Sequence, residues 1–269
     1  MSNFSDKNYL LFSQYIHQHY GIHLDQNKRT LLAMKMDKAL KYTGIETYEE
    51  LYQRLEAYDP EIMNQFTNIV TTNTTEFFRE IQHFEYIMKH FDEMISKIPR
   101  IMENKEIRVW SAGCSTGQEP YTIAMVLKEQ LGSSYDIKIL ATDINQRVLS
   151  VALQGMYPND IQPQVPKFYL LKYFEKVQNG YQVNQEIKNM VSFRSFNFTS
   201  DFSFKKGFDI IFCRNVMIYF DNEFQNKLVK KFERVLMPGG FFFIGHSETL
   251  LNKINSFQFI APAIYRKSL

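Results

Sequence analysis

The fold is predicted by Val109-Trp110-Ser111-Ala112-Gly113-Cys114-Ser115-Thr116-Gly117-Gln118-Glu119-Pro120-Tyr121-Thr122-Ile123-Ala124. Gly113 and Gly117 bracket a loop of small residues that can turn tightly and lie close to a ligand. Pro120 follows where a first helical turn accepts proline. A strand, a glycine loop and a helix in this order hold a nucleotide-like cofactor in a doubly wound sheet. The loop matches neither G-x-G-x-x-G nor a phosphate-binding Gly-Lys-Ser/Thr motif, so an ordinary glycine turn is an open alternative at this point.

A second strand makes the cofactor hypothesis stronger. Ile137-Lys138-Ile139-Leu140-Ala141-Thr142-Asp143 ends on an acid about thirty positions after Gly113. An acid at the end of the second strand accepts hydrogen bonds from both ribose hydroxyls of a bound adenosine. Glu119, at the predicted helix start, is a second candidate acid for the polar groups of a ligand.

Composition limits the class of protein. The 269 residues are 45% hydrophobic and 15% aromatic, which is typical of a globular chain with ample core. The net charge of +2 excludes a global field for nucleic acid. Cys114 and Cys213 form neither a disulfide framework nor a metal site, which indicates a reducing compartment. No signal segment or bilayer-length apolar run is recognisable, so we expect a cytoplasmic protein.

Residues 1–72 predict a small bundle of helices only. Ser5 or Asp6, Asp25, Thr47 and Asp59 are the predicted helix starts. The second helix concentrates basic residues against a single acid, Asp37, although acids are plentiful elsewhere in the bundle. This segregation favours docking on an acidic partner, and an ordinary solvated face is the alternative. The basic residues are Lys28, Arg29, Lys35, Lys38 and Lys41.

The segment Thr71 to Glu80 is a poor helix interior, because it opens with β-branched and amide side chains. Arg79 follows Phe77 and Phe78, and a cation beside apolar surface is costly unless it binds a carboxylate. We therefore expect Arg79 to hold a ligand carboxylate and the two phenylalanines to exclude water from the site. A linker that merely caps a helix is the alternative.

The remaining chain resumes the strand and helix pattern around one insert. Asn179-Gly180 predicts a hairpin, and the alternation of 191–197 predicts a third antiparallel strand of that insert, at about 158–197. Phe208 to Cys213 predicts a buried strand with the polar Arg214 and Asn215 at its carboxyl end, where ligands bind in such sheets. Residues 241–244 and 257–265 predict the last two strands.

Taken together, the motifs resemble the class I S-adenosylmethionine-dependent methyltransferases, and more specifically the CheR-type chemotaxis receptor methyltransferases. The motifs that carry the resemblance are Thr71 to Glu80, Ser111 to Tyr121, Ala141-Thr142-Asp143-Ile144, Phe208 to Asp221, and Leu236-x-Pro238-Gly239-Gly240. The resemblance implies an α/β fold, a doubly wound methyltransferase sheet with an antiparallel β insert, preceded by a small all-helical domain. The implied division is a helical domain at 1–72, a linker at 73–90 that contributes to the active site, and a cofactor-binding domain at 91–269.

The resemblance also implies the chemistry. The expected cofactor is S-adenosylmethionine, with S-adenosylhomocysteine as product and no metal. Glutamates in the cytoplasmic domains of methyl-accepting chemotaxis receptors are the expected acceptors, for a monomer that neither binds nucleic acid nor inserts into a membrane. The implied catalytic residues are Arg79 and Tyr219. The implied cofactor-binding residues are Asn73, Thr75, Arg79, Gly113, Glu119, Asp143, Asn197, Phe198, Arg214 and Asn215.

Three comparisons with other possibilities make the prediction more specific. Family members that tether to a receptor pentapeptide have a longer glycine-containing loop in the insert, whereas this chain has only Gln178-Asn179-Gly180-Tyr181, so we expect no tether. Methyltransferases that act on nucleic-acid amines usually carry an Asn/Asp-Pro-Pro-Tyr motif where this chain has Arg214-Asn215-Val216-Met217. A non-catalytic module that binds the cofactor as a ligand would not need Arg79 and Tyr219.

Overall fold

The computed structural model describes residues 4–250 and 256–269. Its helices are α1 (Asp6–Tyr20), α2 (Arg29–Thr43), α3 (Tyr48–Glu56), α4 (Pro60–Val70), α5 (Gln82–Ser96), α6 (Pro99–Asn104), α7 (Gln118–Leu131), α8 (Gln146–Gln154), α9 (Lys167–Tyr173), α10 (Gln185–Lys188) and α11 (Asn222–Val235). Its strands are β1 (Glu106–Ala112), β2 (Asp136–Asp143), β3 (Met156–Tyr157), β4 (Phe174–Val177), β5 (Gly180–Val183), β6 (Val191–Ser195), β7 (Phe208–Cys213), β8 (Leu236–Ile244), β9 (Phe257–Ala261) and β10 (Ile264–Lys267).

Helices α1 to α4 form the predicted amino-terminal bundle. The side chains of Ser5, Thr47 and Asp59 each accept a hydrogen bond from a main-chain N–H of the first turn, which confirms these predicted starts. Asp25 caps a single 3₁₀ turn, and α2 begins after that turn. Buried side chains from all four helices share one core, including Phe12, Leu32, Leu51 and Phe66.

The chain after the helical bundle is built on a seven-stranded mixed sheet in the order β6-β2-β1-β7-β8-β10-β9. Strands β6, β2, β1, β7 and β8 run parallel, and β10 is antiparallel to both β8 and β9. Side chains of β1 alternate between two cores, with Ile107 and Val109 in one and Trp110 and Ala112 in the other. Helices therefore cover both faces, as in the predicted doubly wound class. The predicted last strand, 257–265, is instead the hairpin of β9 and β10.

A separate three-stranded antiparallel sheet, in the order β3-β5-β4, is the insert. The predicted hairpin joins β4 and β5, but Val177 pairs with Gly180, so the turn residues are Gln178 and Asn179, one position before the predicted Asn179-Gly180. The prediction that 191–197 supplies the third strand of the insert was wrong. Residues 191–195 form β6, which pairs parallel with β2 at the edge of the main sheet, and Met156–Tyr157 supplies the third strand instead.

Trp110 is the centre of the core on one face of the sheet. It is fully buried, and its ring centroid lies 4.8–5.5 Å from those of five phenylalanines. Its indole N–H donates to the Thr142 hydroxyl at 2.9 Å, so the ring also ties β1 to β2. The five phenylalanines are Phe196, Phe202, Phe204, Phe208 and Phe232.

Near the amino-terminal ends of the strands, a buried carboxylate links β7 to β1. Asp209 is fully buried and accepts a hydrogen bond from the Arg108 main-chain N–H at 2.8 Å. The Arg100 guanidinium also binds this carboxylate. Because the Asp209 carboxylate is paired with Arg100 and hydrogen-bonded, the burial of its charge is tolerated. This carboxylate lies away from the carboxyl ends of the strands.

Candidate active site at the carboxyl end of the sheet

A cavity of about 240 Å³ lies at the carboxyl ends of β1, β2 and β7. The linker closes one side of it and the helical domain another, through residues that include Ile22, His23 and Leu31. All of the catalytic and cofactor-binding residues predicted from the sequence line this single cavity. They are Asn73, Thr75, Arg79, Gly113, Glu119, Asp143, Asn197, Phe198, Arg214, Asn215 and Tyr219.

The glycine loop and Asp143 form the floor of the cavity. Gly113 has φ +87°, and a Cβ there would lie 2.5 Å from the Val216 side chain, so no other residue fits. The Asp143 carboxylate accepts hydrogen bonds at 2.9 Å from the main-chain N–H groups of Ser115 and Asn145. Burial raises the pKa of Asp143, and these two hydrogen bonds oppose that shift. The loop thereby fixes the orientation of a carboxylate at the end of β2.

Arg214 joins the cavity wall to the linker. Its guanidinium is 2% exposed and lies 3.2 Å from the Glu119 carboxylate and 3.1 Å from that of Glu80. Arg214 also donates to the main-chain carbonyl of Arg79. The Ser111 hydroxyl donates to Glu119 at 2.7 Å, so both oxygens of this carboxylate are engaged.

The two carboxyl groups around Arg214 titrate differently. Burial raises the pKa of Glu119, although Arg214 and Ser111 oppose the shift. Burial would also raise the pKa of Glu80, but hydrogen bonds from Asn215 and Arg214 lower it overall. This role of Glu80 could not be predicted from its place at the end of the Thr71 to Glu80 motif, because it depends on a tertiary contact over more than 130 positions.

The two phenylalanines that precede Arg79 in the linker pack into the core and not into the cavity. Phe77 packs edge-on against Tyr157 with ring centroids 4.8 Å apart, and Phe78 packs against Tyr169 at 4.9 Å. Neither phenylalanine lines the cavity, so the expectation that they exclude water from the site was wrong. Phe78 and Glu80 have φ of 53° and 51°, and the chain therefore turns sharply on both sides of Arg79.

Arg79 itself is available to a ligand. Its guanidinium donates to the Thr74 carbonyl at 2.9 Å and lines the cavity. Within residues 4–250 and 256–269 it forms no ion pair with a protein carboxylate. A guanidinium with free donors beside a cavity suits bidentate binding of a carboxylate.

The helical domain contacts the cavity residues directly. The Asn197 side chain donates to the His19 carbonyl at 2.7 Å, and the His23 N–H donates to the Tyr219 carbonyl at 2.8 Å. Ile22 forms an antiparallel bridge with Phe220. The helical domain, predicted only as a docking module, therefore also lines the site.

The five basic residues of the second helix do not share one face. Lys28 lines the cavity, and Arg29 pairs with Asp6 at 2.8 Å. The Lys35 ammonium donates to the Val70 carbonyl at 2.6 Å, and burial lowers its pKa. Lys38 and Lys41 are exposed, beside the exposed apolar side chains of Leu31, Met34 and Tyr42.

Glu80, His83 and His246 place potential metal-ligand atoms within 4.8 Å of one another. Burial lowers the pKa of His83 to about 3, and in the described part of the chain neither ring nitrogen has a hydrogen-bond partner of good geometry, although the backbone of Pro262 is close enough to oppose this shift. The Glu80 carboxylate, however, is already bound by Arg214 and Asn215. A metal ion would have to displace these donors and lie beside a guanidinium, so we assign no metal to this cluster.

Comparison with known proteins assigns both parts of the chain. Residues 73–265 match the family described as CheR methyltransferase, SAM binding domain, and residues 7–71 match CheR methyltransferase, all-alpha domain. No helix among the described residues is long and apolar enough to cross a membrane.

Three relatives illustrate the similarity. The chemotaxis protein methyltransferase of Borreliella burgdorferi is 39% identical, over 94% of this chain and 91% of that protein. Chemotaxis protein methyltransferase 2 of Pseudomonas aeruginosa is 35% identical, over 91% and 87%. The chemotaxis protein methyltransferase of Escherichia coli is 34% identical, over 98% and 92%.

Replacing Asp143 with Ala should weaken the binding of S-adenosylhomocysteine, measured by calorimetry. Losing charge-assisted hydrogen bonds to a ligand should cost about 1.5–3 kcal/mol, or roughly 10- to 150-fold in Kd. Asp136→Ala, at the exposed start of the same strand, is the matched control and should bind normally. An unchanged Kd in a folded Asp143→Ala protein would remove this carboxylate from the binding site.

Proposed function

This chain belongs to the CheR methyltransferase family, and we propose that it transfers the methyl group of S-adenosylmethionine to receptor glutamates, forming glutamate 5-O-methyl esters. The acceptors are glutamates in the cytoplasmic domains of chemotaxis receptors, which places the reaction in the cytoplasm. The observation that supports this most is the convergence of Asp143, Glu119, Arg79 and Tyr219 on one cavity. Each comes from a different element of the chain.

The groups that line the cavity fit S-adenosylmethionine. The close approach of Val216 leaves no space for a side chain at position 113, so the backbone of Gly113 is exposed to a ligand at the cavity floor. Asp143 offers oriented carboxylate oxygens for ribose hydroxyls, and Asn197 and Phe198 offer an amide and an aromatic face for the adenine. Bound there, the cofactor supplies an electrophilic methyl group on a sulfonium sulfur.

The protein has to position the reactants and needs no general base. A glutamate side chain is ionised at neutral pH and is therefore already the nucleophile. Correct placement of two reactants can supply much of the rate by itself. In our proposal Arg79 orients a carboxylate through its free donors, and Tyr219 lies beside the transferred methyl group. Cavity walls contributed by the helical domain limit the access of water.

The acceptor class is tested by methylation of receptor-containing membranes with labelled S-adenosylmethionine. We expect label on the receptor that is released by alkali as methanol, because carboxyl esters are alkali-labile. Label that resists alkali would indicate an amine acceptor and contradict the ester. We propose that the protein acts as a monomer. We also propose that it uses no pentapeptide tether, because the insert hairpin turns through Gln178 and Asn179 alone.

Receptor docking should depend on Lys38 and Lys41, the exposed basic residues of α2. Receptor methylation should slow with added salt, because the Debye length falls from about 10 Å at 0.1 M to about 3 Å at 1 M. Lys38→Glu with Lys41→Glu should raise the receptor KM and leave cofactor affinity unchanged. Lys35 is unsuited to this test, because its ammonium caps the end of α4.

The matched control reverses two lysines on α11, with Lys227→Glu and Lys230→Glu, which changes the net charge equally on an exposed helix outside the helical domain. This control should retain the normal receptor KM. Equal effects of both double variants would mean that only net charge matters and that α2 is a solvated face.

Arg79→Ala should lower turnover by about two orders of magnitude or more, because misplaced reactants can cost that much. Arg79→Lys keeps the charge but loses the bidentate donors, so it should also be strongly impaired. Arg194→Ala is the matched control, since Arg194 is exposed on β6 and likewise donates to a nearby carbonyl, that of Phe193 at 2.9 Å.

Cofactor affinity in the same variants separates the two possible partners of Arg79. Weak binding of S-adenosylhomocysteine would place Arg79 on the carboxylate of the cofactor's methionine part. Normal binding with lost turnover would place it on the acceptor glutamate. Normal binding and normal methylation together would show that the linker has no catalytic residue.

A further inference from the structure

The loop from Arg214 to Tyr219 carries several residues that line the cavity, and one carboxylate outside the cavity lining holds its main chain. Glu248, in the turn after β8, accepts hydrogen bonds from the N–H groups of Asn215 at 3.1 Å, Val216 at 3.0 Å and Ile218 at 3.2 Å. Glu248 is not among the cavity-lining residues. A charged acceptor for three neighbouring amides fixes the course of the loop.

The loop has the backbone shape that suits an anion. Asn215 has φ 57°, in the left-handed region, and Val216 is right-handed with φ −116° and ψ −45°. Successive residues of opposite hand direct their N–H groups into one concavity, which binds anions in many proteins. Here a side chain of the same chain supplies the anion.

The carboxylate is itself fixed to the sheet. The Gly245 N–H donates to it at 2.6 Å, directly after β8. A Cβ on Gly245 would lie 2.6 Å from the Asn215 side-chain nitrogen and 2.8 Å from its main-chain nitrogen, so the two turns are in direct contact. The Asn215 amide group donates to Glu80 at 3.0 Å. Asn215 is therefore bound through its main chain by Glu248 and through its side chain by Glu80.

We propose that Glu248 is a positioning residue for methyl transfer. Its carboxylate sets the loop that presents Asn215 and Tyr219 to the cavity, without contacting the reactants. This inference rests on the proposed function, in which Tyr219 lies at the site of methyl transfer. It implies that the loop's catalytic geometry depends on an anion attached to β8.

The test is Glu248→Gln. Glutamine keeps the shape but offers one acceptor oxygen, so one pair of N–H groups, either Asn215 with Gly245 or Val216 with Ile218, would face an amide donor. We expect turnover per S-adenosylhomocysteine-binding site to fall about tenfold or more, because a displacement near 1 Å can cost about a hundredfold. The receptor KM should stay near that of the wild type, since docking uses another surface.

Asp209→Asn is the matched control, because Asp209 is also a buried carboxylate that accepts a main-chain N–H but lies at the other end of the sheet. It should lower Tm and leave turnover per binding site unchanged. If Glu248→Gln likewise lowers only Tm, its role is structural and the inference is wrong.

Two further measurements keep the outcomes distinct. In NMR spectra, the amide proton signals of Asn215, Val216 and Ile218 should shift upfield in Glu248→Gln, since their charged acceptor is lost. Unshifted signals would contradict the proposal that the Glu248 carboxylate holds this loop. If the Gln variant yields no protein that binds S-adenosylhomocysteine, Glu248→Asp, which keeps the charge on a shorter stem, should show the same loss of turnover. Failure of the wild type to methylate receptors would refute the proposed function, whereas an active wild type with a fully active Glu248→Gln variant refutes only this inference.

Discussion

The buried guanidinium of Arg214 connects the parts of the chain that form the cavity. Carboxylates of α7 and of the linker flank it, a linker carbonyl accepts from it, and the Phe84 ring lies 5.6 Å away. A buried cation that loses one partner costs about 3–5 kcal/mol, so these groups stay together or separate together. The linker is therefore part of the catalytic domain's interior, although it joins two domains in sequence. This ion network therefore connects the cavity wall to the linker.

Much of the site could be predicted because its residues follow sequence-local rules. Gly113, Asp143 and Arg214 each lie at the end of an apolar strand, and parallel strands bring their carboxyl ends to one edge. Val191–Ser195 was misassigned because alternation defines a strand and not its partner, and its neighbour β2 is some fifty positions away. Phe77 and Phe78 were misplaced because side-chain direction in the linker depends on two left-handed turns. Glu248 gave no signal, since an acid that binds loop amides has no characteristic spacing.

The helical domain and the sheet domain are joined at the cavity. The Ile22–Phe220 bridge, the His23 contact with Tyr219 and the Asn197 contact with His19 all lie at the cavity. His17 adds a contact with Asp221 at 2.6 Å. A shift of the helical domain would move one wall of the site and the loop that carries Tyr219 together. The surface proposed to meet the receptor thus lies on a domain that also contributes residues to the cavity wall.

Trp110 gives the protein a single intrinsic fluorophore, because it is the only tryptophan in the sequence. Its indole is fully buried among phenylalanine rings, an environment that gives blue-shifted emission. The partner of its N–H, Thr142, also accepts main-chain hydrogen bonds from Gly113 and Cys114 at 2.8 and 2.9 Å through its carbonyl. Emission therefore reports on the sheet core beside Thr142, the residue that also binds the glycine loop. It carries no tryptophan signal from the helical domain. Tryptophan fluorescence can therefore follow unfolding of the sheet core, for comparison with helical circular dichroism, which reports on the chain as a whole.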